Sequence, residues 1–273
     1  MPEEDKIKSA ADAVKGIVQA IPIYQDALQP AAREIGKAFQ TITKTIHIAL
    51  APISALVWGY EKIGDFVTER LSELMKDIPP ERIITPPPNV AGPTIEALRY
   101  VGQEPSLREM YAKLLATSMD KESTIKAHPA FVEIIKQLNP DEARLISYLA
   151  ESRYRPQPII DIVAQFRPPE FPLGYLTFKK NISLLGKESK CNNPELSSVY
   201  LVNLNRLGLI ELRGAELAQK EIYEQLEKSY DVQKHLKKSM TGKMEIVLDR
   251  HAVHITDFGQ QFIDACVKVN TVD

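Results

Sequence analysis

Histidine and cysteine are sparse in this chain, five and two residues, and their spacing relative to the carboxylates argues against a catalytic centre. His251 and His254 lie near Asp249 and Asp257, a donor set that suits a transition metal. The surrounding residues read as strand, in which positions three apart point to opposite faces, so both rings could not hold one ion. His47 sits in an apolar helical pattern, His128 precedes a helix-starting proline and His235 lies among lysines, so core, turn and solvated roles account for them. The segment LLGKES at 184–189 contains Gly186-Lys187 but lacks the first glycine of a phosphate loop, and no strand precedes it. No GxSxG elbow occurs, and neither Cys191 nor Cys266 has a histidine close in sequence. The acidic pairs Glu3-Glu4 and Asp141-Glu142 fall at helix starts, where the macrodipole favours them. These residues predict a protein that is not an enzyme and carries neither metal nor cofactor.

Charge and apolar surface remain. Lys179, Lys180, Lys187 and Lys190 precede a helical pattern at 195–207 whose one cation is Arg206, and Lys234, Lys237, Lys238 and Lys243 follow later. These are the candidate phosphate contacts for weak, sequence-tolerant binding of duplex nucleic acid. The charge balance weighs against a dedicated DNA reader, because the formal net charge is −2 and residues 140–273 hold equal numbers of basic and acidic side chains. Contact with another protein is the second use open to the same region. Two cysteines are too few for a disulfide framework, and the start MPEEDKIKSA lacks the basic-then-apolar order of a signal peptide. A reducing cytoplasm is the expected compartment.

The elements that must position these residues are mostly helical. Ile7, Ala11, Val14, Ile17, Val18 and Ile21 predict a short amphipathic helix over 5–21, stopped by Pro22. A longer pattern from Ala31 to about Ile78 carries Ile35, Phe39, Ile42, Ile46, Ile53, Leu56, Tyr60, Ile63 and Val67 in alternating steps, the seam of a helix lying along another helix. Pro52 should kink it. The seam exceeds what the helix at 5–21 can cover, so these residues are the candidate self-association positions and a homo-oligomer is expected. Residues 46–60, IHIALAPISALVWGY, are apolar on more than one face but shorter than the ~20 residues of a membrane span, so burial between protein helices is expected. The alternative is an effector whose arm around 46–60 enters or lies on the inner membrane.

Six prolines between 79 and 93 predict an extended linker after a 1–78 arm. Helices are expected at Thr94 to Val101, Pro105 to Ser118 and Pro129 to Leu138, forming a bundle segment over 94–139. Within 140–273, helices are expected from Pro140, at Ile159 to Phe166, at Leu176 to Leu185, and where Leu196, Val199, Leu201, Leu204 and Leu207 recur. Gly208 then stops the helix, and Leu209 to Leu212 reads as a strand. An insertion at about 215–243 reads as one charged helix with a stripe at Ala218, Ile222, Leu226 and Tyr230. Two strands follow, Met244 to Leu248 and Ala252 to Ile255, then a helix from Asp257 to about Val267. The fold class is therefore mainly α: a long-helix arm, a helical bundle, and a winged-helix-like domain with a small antiparallel wing.

The stretches LREMYAKLLATSMD (107–120), HPAFVEIIKQLNPDEARLISYLA (128–150) and NPELSSVYLVNLNRLGLIEL (193–212) together resemble the bacterial abortive-infection alpha family, over roughly residues 93–265. The middle stretch is the most specific, and the first 78 residues fall outside the resemblance. The resemblance implies a role in bacterial defence against phage, in which the infected cell stops growing or dies, and it supplies no catalytic residues to carry over.

Overall fold

The computed structural model describes residues 60–152, 155–166, 175–213, 217, 221–238 and 244–268. The helix expected at 5–21 and the seam positions Ile35, Phe39, Ile42, Ile46, Ile53 and Leu56 lie outside the described residues, and Tyr60 is described in its backbone only. The chain divides into two compact units, Met1–Pro140 with Gln261–Asp273, and Asp141–Gln260. The described residues are mainly helical, with one antiparallel four-stranded sheet.

In the first unit, α1 (Tyr60–Leu74), α2 (Pro88–Val101), α3 (Pro105–Met119) and α4 (Ala130–Lys136) pack around α3. Helix α1 buries Ile63, Val67, Leu71 and Leu74, a stripe at four, four and three residues, which is why it lies against its neighbours. The last seam positions, Ile63 and Val67, are 0% and 2% exposed and belong to this core. Arg70 of α1 grips Glu109 of α3 through Nε and a terminal nitrogen at 2.8 and 2.6 Å, which sets the pair's register. Helix α3 is buried almost all round, from Leu107 to Met119, as suits a central helix.

The proline-rich segment 79–93 is not extended throughout. Pro80–Arg82 forms a short 3-10 turn, and α2 starts at Pro88 with Pro93 inside it. Pro88 costs nothing because the first N–H groups of a helix have no intrahelical partner, and Val90, Ala91, Thr94, Ile95 and Leu98 are buried, which outweighs the bond lost at Pro93. The extended part is held to the end of α3. Ile84 N–H donates to Met119 O at 2.8 Å, Lys121 N–H to Arg82 O at 2.8 Å, and Arg82 clasps the buried Asp120 carboxylate.

The second unit carries α5 (Pro140–Glu151), β1 (Gln157–Phe166), β2 (Tyr175–Ile182), α6 (Leu185–Glu188), α7 (Ser197–Arg206), β3 (Ile210–Arg213), α8 (Glu221–Glu227), α9 (Tyr230–Lys238) and β4 (Met244–Ile255). Helix α10 (Asp257–Cys266) starts in it and ends in the first unit. The sheet order is β2-β1-β4-β3, antiparallel throughout. Three expectations are corrected here. Residues 159–166 and 176–185 are not helices: they fall largely in β1 and β2. Ile159, Ile160, Ile162 and Ala164 are all fully buried, so β1 is covered on both faces and shows no alternation, while its β-branched residues favour strand. The strand pair 244–248 and 252–255 is one strand, because Asp249, Arg250 and His251 pair with Asp161, Ile160 and Ile159 rather than turning. The insertion is two helices, broken at Lys228-Ser229, that bury Tyr223, Leu226 and Val232 against Ile160, Ile162 and Ile182.

Candidate functional site

Two groups of titratable residues in the second unit are held by hydrogen bonds and ion pairs within the fold. His251 Nε2 lies 3.3 Å from Asp249 and 3.8 Å from Asp161, but Asp161 Oδ1 also accepts the N–H of Asn181 at 2.7 Å. That bond secures a left-handed residue, φ 54°, where the β1–β2 register shifts. Among the described residues no group of three histidines, cysteines or carboxylates is placed to hold a metal ion. Asp141 is the second group. Its carboxylate accepts the N–H of Asn192 at 2.8 Å, the N–H of Asn193 at 2.9 Å and the Tyr200 hydroxyl at 3.0 Å, and pairs with Arg144. Burial would raise its pKa, but the donors outweigh it and hold the carboxyl below the usual range. Tyr200, buried against that carboxylate, is pushed up to about 12. Asp141 thus ties α5 to the turn before α7, a role beyond the helix-dipole reading of Asp141-Glu142.

Neither cysteine is poised to react. Cys266 is fully buried and Cys191 nearly so, and burial pushes both thiols up. A cleft of about 750 Å³ opens beside Arg155, Pro158, Leu184, Glu188, Ile222 and Leu226. Its lining mixes apolar and polar side chains, and Glu188 is engaged by the Tyr148 hydroxyl at 3.2 Å.

The notable surface is on α7 and its neighbour β2. Tyr200, Leu201 and Leu204 of α7 face inward, while Leu196, Val199 and Val202 are 44%, 59% and 53% exposed. Leu176 and Phe178 of β2, which packs beside α7, are 50% and 41% exposed. Sequence periodicity marked Leu196 and Val199 as helical apolar positions but could not say that they point outward. An apolar helix face turned to water is the signal that sequence reasoning missed here.

The candidate phosphate contacts distribute over several elements. Lys179 and Lys180 lie on β2, Lys187 on α6 and Lys190 just after it; all but the half-buried Lys179 are exposed. Arg206 closes α7 and donates to Asn203 Oδ1 at 3.0 and 2.8 Å. Lys234, Lys237 and Lys238 lie on α9, which follows α8; Lys234 is exposed. Lys243 lies outside the described residues.

The family model described as abortive infection alpha matches residues 59–266. The chain belongs to the abortive infection alpha family. The match begins at the start of α1 and ends with α10, so the family unit includes α1 and the proline-rich segment, which the resemblance in sequence had left outside. No curated protein and no solved structure matches the chain significantly. Among the described residues of this abortive infection alpha protein, no helix is long and apolar enough to cross a membrane, and the apolar run at 46–59 lies outside them.

Proposed function

We propose that this chain is a non-enzymatic anti-phage protein that acts by association with another macromolecule, through a winged-helix-like second unit. The biological setting follows from the family. Support for the winged-helix reading comes from the step α7, Gly208, β3, from β4 returning antiparallel to β3, and from the closing helix α10. Gly208 sits at φ 74°, and Leu209 N–H reaches back to Leu204 O, the turn that such a step needs.

One observation carries the choice of association over catalysis and over base reading: the outward face of α7. A helix that reads base edges presents polar and basic side chains to the groove, whereas this one presents Val199 and Val202 on its outward side, with Leu196 in the turn just before it and Asn205 and Arg206 at its end. The face therefore docks rather than reads. The test is phage plating on bacteria expressing the full chain. Val199→Asp is expected to abolish protection while the thermal midpoint stays within a degree or two, since the residue lies in water. Full protection by Val199→Asp would overturn the reading. A gel-shift titration with duplex DNA at about 50 mM salt, where phosphate contacts are strong, is expected to be flat.

A further inference from the structure

Helix α7 carries charge as well as apolar surface on its outward side. Glu195 stands in the 3-10 turn that runs into the helix without a break, and Val199, Val202 and Arg206 follow it at steps of four, three and four residues. That spacing lines the four along one stripe, and all four are exposed. Tyr200, Leu201 and Leu204 turn the other way and are buried. The stripe therefore has an acid at its N-terminal end, two valines at its centre and a guanidinium at its C-terminal end, where Arg206 also donates to Asn203 Oδ1. Valine suits a contact between two such helices. It is small, so the axes approach closely, and its stiff side chain loses little freedom on burial.

Reversed, this order is its own complement. A two-fold axis passing between Tyr200 and Leu201 would set Val199 of one copy against Val202 of the other and Glu195 against Arg206, each twice over by symmetry. A parallel pair would instead set glutamate beside glutamate and arginine beside arginine. We propose that α7 docks on α7 of a second copy of this chain, antiparallel, with Val199 and Val202 at the centre, Leu196 beside them and Glu195 meeting Arg206 at both ends. The inference rests on the reading that the protein acts through this face, and it names the chain itself as the partner. Two helices of about three turns bury less than the roughly 1,200 Å² of a stable interface, so the pairing is weak and follows protein concentration. The ion pairs lie at the rim and set the direction more than the affinity. Pairing also hides the side of α7 that would enter a groove, so it competes with binding to duplex DNA.

The test is sedimentation of the full-length chain over a wide range of concentration, with each charge reversed singly and with the two single variants mixed. Wild type is expected to associate as its concentration rises. Either reversal alone, Glu195→Arg or Arg206→Glu, sets like charges against each other at both ends and should raise the dissociation constant of this step by about tenfold. An equal mixture of the two variants should associate as wild type does, because each copy then supplies the charge that the other needs. An effect on folding cannot produce that rescue, and the seam at Ile42 and Ile46 carries neither residue. Three results overturn the inference: a wild type that stays monomeric, single reversals that associate as wild type does, or a mixture as weak as its parts. Phage plating keeps the docking reading separate. If Val199→Asp loses protection while the mixture shows no rescue, the face docks on a different macromolecule and self-pairing is wrong. Rescue by the mixture, with full protection by Val199→Asp, leaves the pairing and removes its role in defence.

Discussion

The carboxylate of Asp141 receives two backbone N–H groups and a phenol hydroxyl in a site shielded from water, and a guanidinium lies at its side. Hydrogen bonds to a buried charge are among the stronger ones, and removing the acceptor leaves their donors unsatisfied. Asp141→Asn is expected to lower stability by about 2–3 kcal/mol at pH 7, measured by urea denaturation. The pH dependence has a definite sign. The folded pKa lies below the unfolded value of about 3.9, so the contribution is fully present above about pH 4 and is lost as the pH falls through the folded pKa. Wild type and Asp141→Asn should therefore converge in stability toward strongly acidic pH. An advantage that persists unchanged to pH 2 would show that the charge is not what stabilises the turn. Asp120, held low by Arg82 against the effect of its burial, adds to the same acid limb.

At the scale of elements, close backbone approaches fix how helices meet their neighbours. Thr256 starts α10 by accepting the Gly259 N–H at 2.8 Å on its hydroxyl oxygen, which in turn donates to Gly208 O at 2.5 Å. Gly259 stands so near Leu209 that a Cβ there would overlap the Leu209 carbonyl oxygen, a backbone atom that cannot swing aside. Gly259→Ala should cost about 3 kcal/mol. Gly208→Ala, strained only by its left-handed φ and with Phe258 at an ordinary 3.8 Å, should cost about 1 kcal/mol. Thermal midpoints of the two variants give the order, and equal losses would contradict it. Elsewhere, Arg250 shows why a charged triplet can sit mid-strand: its guanidinium lies 5.3 Å over the Tyr223 ring and bonds Glu227 at 2.7 Å, so helix α8 supplies what a turn into solvent would have.

Across the whole molecule, one heptad pattern crosses from undescribed residues into the core of the first unit. Ile63 and Val67 are covered by the chain itself, packed in α1 against α2 and α3. Val67→Asp should therefore unfold or strongly destabilise this unit, because a buried unpaired charge is costly. Self-association through Ile42 and Ile46 makes a different demand. Ile42→Asp with Ile46→Asp should lower the solution mass by light scattering while the thermal midpoint of the two units is kept. A monomeric wild type would end the oligomer proposal. The end of α10 is also anchored in the first unit: Thr117 donates to Ala265 O at 3.0 Å, Lys113 to Val267 O at 2.5 Å, and Phe131 meets Phe262 edge to face. These donors satisfy last-turn carbonyls that no helix can pair internally.

The sequence by itself determined what depends on near neighbours. Helices α3, α5, α7 and α10 begin and end within a few residues of where proline starts, periodicity and the Gly208 stop put them, and the segments carrying the family resemblance needed no coordinates. Tertiary structure alone decided the rest. Strand β1 reads as helix because burial on both faces erases the two-residue alternation by which strands are recognised. The partners of Asp141 lie some 50 to 60 residues downstream, beyond any local pattern. Helix α7 carries apolar residues on more than one side, so its periodicity fixed that it is a helix but not which side meets water. The packing of Tyr200, Leu201 and Leu204 inward made that choice, and it left Leu196, Val199 and Val202 to the solvent.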